Sequence, residues 1–432
     1  MGFETLQQWL AWQEQFHPSE IELGLERVGQ VYQRLCRERP AYRVITVGGT
    51  NGKGSSVALL DAILRAAGYR VGNYTSPHLL KYNERIKLHG HEVDDQILCD
   101  AFERVNRARG EISLSYFEFG TLAALDIFNR TPLDVVILEV GLGGRLDAVN
   151  IIDADIALIT NIGIDHEEWL GSDIESIGFE KAGIMRKGRP VVFASANPPD
   201  SLLAHANKIG AQLYTLEQSY QYETTGSGWR WQSPHRKRES LPMPAMRGEF
   251  QLKNAAGVLM VLESLNQQLP IAQTELRAGL LDAQVAGRFQ IISTPLRQIL
   301  DVGHNPHAVE QLKINLQSIE CLGKTRAVFA MMGDKAIDEV IQIIHPLIDE
   351  WYIGDLEQPR AATAAQLLPL LEEQGVKRIH QLATVELAYQ QALKDAGPAD
   401  QIVVFGSFFT IAVALNEMTA ASNDRIINSN GK

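Results

Sequence analysis

Seven consecutive residues, Gly49-Thr50-Asn51-Gly52-Lys53-Gly54-Ser55, have the types and spacing to hold a polyphosphate. Glycines let backbone N–H groups approach phosphate oxygens, a helix N-terminus favours negative charge, and the Lys53 ammonium can reach the outer phosphates. The run departs from the general P-loop pattern at two points: Val47 stands where the first glycine is usual, and Gly54 rather than Ser or Thr follows Lys53. Glu139 ends an apolar run, the place where P-loop enzymes commonly hold a hard oxygen ligand for Mg²⁺. His166 follows a second such run, and Asp301 and His304 a third, just before a helical pattern. Other chemistries do not fit. Gly141-Leu142-Gly143-Gly144 suggests a dinucleotide fingerprint, but Leu146 stands at its third glycine position and no helical stripe follows. No nucleophile elbow with a Ser-His-Asp order and no Cys/His zinc spacing occurs.

These groups need a scaffold. Residues 4–36 read as helical with a break at His17-Pro18-Ser19. Tyr42 to Val47 reads as a strand, and Val57, Leu60, Leu64 and Ala67 then define one helix face that Gly68 closes. Another strand opens at Arg70, so the order strand, glycine loop, helix, strand predicts an α/β nucleotide-binding domain. Residues 134–140 and 155–162 are buried-strand patterns, and 214–231 suggests a hairpin around Gly226-Ser227-Gly228. The basic run Arg236-Lys237-Arg238 beside it is expected to be a solvated surface. A second α/β block begins near 290, with strands at 298–302, 327–332, 350–353, 378–381 and 402–407 and a helical stripe at Val309, Leu312, Leu316 and Ile319. The polar tail from about 420 is expected to fray.

Composition bounds the class. At 432 residues with 45% hydrophobic and 21% charged residues, the chain has apolar material for two cores. A net charge of -12 argues against a general affinity for nucleic acid or anionic membranes. The three cysteines, Cys36, Cys99 and Cys321, form neither a metal pattern nor a disulfide framework, which fits a reducing cytoplasm. No apolar run reaches membrane-spanning length, and the N-terminus lacks the apolar stretch of a signal peptide.

Further strings occur in a fixed order: IELGLERV (21–28), YTSPHL (74–79), YFEFGTLAAL (116–125), LEVGLGGRLDAVN (138–150), DHEEWLG (165–171), EKAGI (180–184), GRFQ (287–290), DVGHNPHA (301–308) and GSFFT (406–410). With the GTNGKGS loop, they make the chain resemble the folylpolyglutamate synthase branch of the Mur-ligase-like ATP-dependent ligases. The resemblance covers nearly the whole chain, and EVGLGGRLD is its most specific string. Three positions depart from the family pattern: Ala286 replaces a usual Pro, Val302-Gly303 a usual Gly-Ala, and Phe409 a frequent His.

The resemblance implies a P-loop ATPase domain over 1–290, a smaller Rossmann-like glutamate-ligase domain over 291–432, and an active site in the cleft between them. It implies MgATP as cofactor, with Ser76, Glu139 and His166 holding one Mg²⁺ and Lys181 of EKAGI carbamylated as an anionic ligand that helps hold a second. A carbamate suits such a place, because an ammonium would repel the metal. Asn254, Arg288 and Asp301 match nucleotide contacts, and His304 and Ser407 match positions near the incoming glutamate. Glu22-Leu23-Gly24-Leu25 and Leu146-Asp147-Ala148 match segments lining a dihydropteroate site. Lys53, Glu139, His166, Lys181, Arg288 and His304 thus carry the catalytic expectations. The implied reaction adds L-glutamate to dihydropteroate, and to tetrahydrofolate and its polyglutamates, through an acyl phosphate, releasing ADP and phosphate. Nearby alternatives are a Mur-type ligase acting on a cell-wall precursor and a synthase lacking the dihydropteroate activity; IELGLERV favours both activities together. A P-loop switch that hydrolyses ATP to regulate a partner is a different class, and the ligand set and the DVGHNPHA domain argue against it. A cytoplasmic monomer is expected.

Overall fold

A computed structural model of the protein describes residues 3–17, 22–36, 40–293 and 296–429. Two compact units divide the chain: Met1–Ala245 with Glu249–Gln284, and Met246–Gly248 with Val285–Lys432.

The first unit is built on an eight-stranded sheet. Its strands are β1 (Arg43–Gly48), β2 (Val71–Tyr74), β3 (Ile86–Leu88), β4 (His91–Glu92), β5 (Val135–Glu139), β6 (Ile156–Ile159), β7 (Pro190–Phe193) and β8 (Gln212–Thr215), in the spatial order β4-β3-β2-β5-β1-β6-β7-β8. All pairs are parallel from β2 to β8, while β3 and β4 add antiparallel at one edge. The reason lies in the sequence. VVIL and IALI are continuous apolar runs, and VITV is interrupted only by the buried Thr46; such runs, unlike alternating ones, suit strands covered on both faces. Helices Lys53–Ala66 and Tyr116–Arg130 supply part of that cover, each opening where its N-terminal signal stands. Ser115 and Glu118 form a reciprocal capping box at the second of them.

The expected N-terminal helices appear as Leu6–Phe16 and Glu26–Leu35; Pro18 and Ser19 of the expected break lie outside the described residues. The hairpin expected around Gly226-Ser227-Gly228 is present as β9 (Gln221–Thr225) against β10 (Gly228–Gln232), extended by β11 (Lys237–Pro242); it begins later than expected, because Gln212–Thr215 joins the main sheet beside β7. The basic run is not a free surface. Arg236 pairs with Glu263 and Asn266, and Arg238 donates to the Ile271 carbonyl, so their half-buried guanidinia tie the small sheet to its neighbours.

The second unit has a six-stranded sheet. Its strands are β12 (Gln290–Ile292), β13 (Arg297–Asp301), β14 (Thr325–Phe329), β15 (Glu350–Asp355), β16 (Ile379–Thr384) and β17 (Gln401–Phe405), ordered β12-β13-β17-β14-β15-β16. Only β12, too short to show a pattern, was not expected, and it is the one antiparallel member. Phe329, Trp351 and Phe405 meet in the core with centroids 4.9–6.0 Å apart. Val309, Leu312 and Leu316 face that core from helix Pro306–Gln317. The last helix continues to Ser429 through most of the tail expected to fray, and Asn430 to Lys432 lie outside the described residues. The α/β class and the order of a larger α/β unit followed by a smaller one are as expected.

Helix Lys53–Ala66 is held by a close crossing with helix Gln273–Asp282. A Cβ added at Gly279 would lie 2.5 Å from Ile63 Cα and 2.6 Å from its nitrogen. Backbone cannot yield there as a side chain would. Gly279→Ala is therefore expected to destabilise the protein by roughly 1–3 kcal/mol through overpacking, read as a lower thermal midpoint; an unchanged midpoint would mean the helices separate at no cost.

Candidate active site

The C-terminal ends of four adjacent parallel strands, β2, β5, β1 and β6, carry the loop, Ser76, Glu139 and the segment leading to His166. Open α/β sheets bind ligands at this edge because the helix N-termini and the connecting loops converge there.

Gly52 caps helix Lys53–Ala66 at φ 83°, in the left-handed region that glycine enters without strain. Gly49, at φ 139°, also admits no side chain: an added Cβ would stand 1.9 Å from Thr160 Oγ1. Lys53 Nζ donates to the Gly49 carbonyl at 2.9 Å and to Thr50 at 3.1 Å, so the ammonium curls over the loop. From behind, Asn254 presses on the loop, with its Oδ1 2.6 Å from where a Gly52 Cβ would be. Asn254 donates to Gln251, which donates to Ser55 Oγ at 3.2 Å. Asn254 and Ser55 are thus joined in one buried chain.

Glu139 is buried at the end of β5, and one carboxylate oxygen accepts the Ser76 N–H at 3.2 Å. A Cβ at Gly54 would still be 4.0 Å from its other oxygen, so the loop, Ser76 and Glu139 are neighbours. Among the described residues no three His, Cys, Asp or Glu side chains cluster as a metal site. A serine held by its backbone against a buried carboxylate nevertheless offers the oxygen donor types that suit a hard cation such as Mg²⁺. His166 lies in the left-handed region at φ 55° with its side chain 40% exposed, and its Nε2 is 4.0 Å from Asp165 Oδ1.

Lys181 lies on helix Ile174–Ala182 and is buried. Burial, reinforced by the Lys53 charge, pushes its ammonium down to about 7, against the pull of Asp165 and Asp147. The LEVGLGGRLDAVN and EKAGI strings fold as one piece. Arg145 donates to Glu180 Oε1 at 2.8 Å from Nη2, and its backbone N–H donates to the Glu180 carbonyl. Asn150 bridges the Arg145 and Gly183 carbonyls. Gly144 and Gly183 permit this, since a Cβ at 183 would meet Arg145 Cβ at 2.3 Å. Asp147 is buried and accepts the Leu142 and Val149 N–H groups, and burial pushes its carboxyl up to about 6.

The two segments expected on the dihydropteroate side meet: the Gly24 N–H donates to the Leu146 carbonyl at 3.2 Å. Glu22 pairs with Arg27 and accepts from His17, and Arg27 also binds Glu118 at 3.1 Å.

In the second unit, Asp301 ends β13 beside Phe405 of β17. Its carboxylate accepts the Phe289 and Gly303 N–H groups, both at 2.8 Å. Burial pushes its pKa up, and Arg288 with those N–H groups pulls it back. Arg288 lies over the Phe408 ring at 5.6 Å, and the His304 ring is 6.3 Å from the same phenylalanine. His304 Nδ1 meets the Val302 carbonyl at 2.9 Å. Arg288, Asp301 and His304 therefore gather at one strand edge. Ser407 joins them in position, but its buried hydroxyl caps the last helix, accepting from Thr410 N at 3.0 Å.

The Mur ligase middle-domain model matches residues 47–262, and the model of the Mur ligase glutamate ligase domain matches residues 287–408. The dihydrofolate synthase/folylpolyglutamate synthase of Escherichia coli is 42% identical over 415 residues, 96% of each chain. This chain belongs to the dihydrofolate synthase/folylpolyglutamate synthase family of Mur ligases. Other relatives of this Mur ligase include the enzyme of that name from Bacillus subtilis, 30% identical with 80% of this chain and 84% of the relative covered. Among solved structures, Escherichia coli FolC in complex with DHPP and ADP superimposes with a TM-score of 0.91 at 42% identity, covering 97% of this chain and 99% of that one. A bifunctional folylpolyglutamate synthase/dihydrofolate synthase with Mn, AMPPNP and L-glutamate bound gives 0.89 at 45% identity, covering 96% and 98%.

Sequence reasoning on this Mur ligase missed the supporting residues: Thr160 and Asn161 behind the loop, Arg145 and Glu180, Arg27 and Glu118, and Phe289. Each works through a partner distant in sequence, so no local spacing could reveal it. Only Glu118 left a local trace, the capping box with Ser115.

Lys181 is also a stability statement. Its folded pKa, about 7, lies below the ordinary lysine value of 10.5. The unfolded chain therefore holds more protons between those values, and stability rises with pH across that window. In bicarbonate-free buffer, Lys181→Met is expected to melt higher than wild type at pH 7, with the gap closing as pH rises toward 10. A gap constant with pH would show that Lys181 stays charged when folded.

Proposed function

We propose that this Mur ligase adds L-glutamate to dihydropteroate, forming dihydrofolate, and to tetrahydrofolate and its polyglutamates, lengthening the glutamate chain. One observation carries the reading: end-to-end identity of 42% to a bifunctional enzyme of that name, with the phosphate loop, Ser76 and Glu139 gathered at one sheet edge. In this reading the unit containing the loop is the ATPase domain, and the unit from about 290 is the glutamate-ligase domain.

Loop residues Gly49 to Ser55 cradle the triphosphate with Asn254 behind them, and Lys53 turns from the loop carbonyls to the outer phosphates. The acceptor carboxylate attacks the γ-phosphorus in line, ADP leaves, and an acyl phosphate forms. Attack by the glutamate amine on the acyl carbon then expels phosphate. In this reading Arg288 serves the transferring charge and Asp301 the nucleotide, while His304 and Ser407 receive glutamate. Glu22 to Leu25 and Leu146 to Ala148 frame the pterin. Ser76, Glu139 and His166 would hold Mg²⁺, which supplies charge neutralisation at the β- and γ-oxygens when bound. Lys181 works as a carbamate, since a buried amine titrating near neutrality is often free to capture CO₂. The enzyme is read as a monomer working in the cytoplasm; no helix among the described residues is long and apolar enough to cross a membrane.

Purified protein with MgATP, glutamate and dihydropteroate should yield dihydrofolate, ADP and phosphate, and with tetrahydrofolate the diglutamate. AMP and pyrophosphate would instead signal adenylation, and ADP formation without either acceptor would indicate a bare ATPase. Lys53→Ala should abolish ligation at an unchanged thermal midpoint, and Glu139→Gln should cost on the order of 10² in kcat, with partial recovery at high Mg²⁺.

For Lys181, ¹³C-bicarbonate should give a carbamate NMR signal that is absent from Lys181→Ala. That variant should be inactive and partly rescued by a small carboxylate. A wild-type spectrum without the signal would remove the carbamate.

A further inference from the structure

Asn161 sits just after β6, and its primary amide lies alongside the backbone of Asn51. Its Oδ1 accepts the Asn51 N–H at 3.0 Å, and its Nδ2 donates to the Asn51 carbonyl at 3.1 Å. A carboxamide presents a donor and an acceptor side by side, as a peptide group does, so it can satisfy both polar groups of one residue. The Asn161 carbonyl also accepts the Thr50 N–H at 3.0 Å. Neighbouring bonds extend the grip. Thr160 Oγ1 donates to the Asn51 carbonyl at 2.6 Å, and Thr50 Oγ1 donates to the Gly163 carbonyl and accepts its N–H, both at 3.0 Å.

We infer that Asn161 is a positioning residue for ATP, fixing the phosphate loop by engaging the N–H groups of Thr50 and Asn51. The inference rests on the proposed reading of the loop as the ATP site. Thr50 and Asn51 then shape the loop rather than bind phosphate through their amides. The phosphates are left to the first-turn amides of Lys53, Gly54 and Ser55, which have no acceptor within their own helix, and to the Lys53 ammonium. The position is selective. Alanine loses both side-chain bonds, leaving the Asn51 N–H without its acceptor and the Asn51 carbonyl with the Thr160 hydroxyl bond alone. Aspartate keeps the acceptor, loses the donor, and sets a negative charge beside the triphosphate.

Two variants test this in the full-length enzyme, with ADP as the calorimetric probe. Losing two hydrogen bonds of ordinary strength should raise the ADP Kd and the ATP KM by roughly tenfold in Asn161→Ala. The glutamate KM should stay within about twofold, because the second unit is untouched. Asn161→Asp, which preserves volume if the alanine variant fails to fold, should bind ADP more weakly still. It should recover part of that loss as pH falls toward 5, because a protonated carboxyl regains a donor. Wild-type ADP affinity in both variants, or an Asn161→Asp defect indifferent to pH, would overturn the inference. A wild-type enzyme that binds no ADP would overturn the nucleotide reading and this inference with it.

Discussion

The backbone hydrogen bonds that pair β2, β5, β1 and β6 in parallel are the constraint on which the chemistry of the first unit rests. Parallel pairing sends every strand toward the same edge, so four loops distant in sequence end beside one another. The register is specific. Val47 of β1 lies opposite Glu139 of β5, and Gly48 opposite Ile159 of β6, so the loop begins level with the carboxylate on one side and Thr160 on the other. A parallel sheet needs apolar cover on both faces, and the largely apolar strands β1, β5 and β6 suit it.

Around that edge, close approach replaces side-chain bulk. Gly49, Gly144 and Gly183 stand where any Cβ would collide with a neighbour; Gly49 meets Thr160 just after β6, while Gly144 and Gly183 each meet a residue of the other's motif. The glycines in these strings therefore record contacts between strings as much as local turns. The dense packing also sets the electrostatics. Lys181 and Asp147 are removed from water, which pushes the amine down and the carboxyl up, toward neutrality in both cases. Groups that titrate near the working pH cluster where function needs them, and a buried lysine detracts from stability there.

The second unit repeats the arrangement with different residues. Asp301 closes β13, and its two oxygens hold the N–H groups of Phe289 and Gly303, tying the GRFQ turn to the DVGH turn. Phe289 adopts φ 44°, outside the usual range for a non-glycine residue, and its side chain is buried. The carboxylate and the core together hold that strained backbone, and Arg288 is carried beside Phe408 as a result.

The fold class, the phosphate loop and most strands were legible from the sequence, because hydrophobic runs, glycine punctuation and helix starts are local properties of a chain. The resemblance carried by the ordered strings extended that reading to a family and to a set of site residues. Other features were decided only by the tertiary structure. The assignment of Gln212–Thr215 to the main sheet depends on which edge β7 leaves open, and the ties of Arg236 and Arg238 depend on partners some thirty residues away. The meeting of Gly24 with Leu146 and of Arg145 with Glu180 has the same character. So does the grip of Asn161 on Asn51, 110 residues apart. Local sequence sets which conformations a segment prefers; a hydrogen bond between distant segments exists only after the sheet order has placed them side by side.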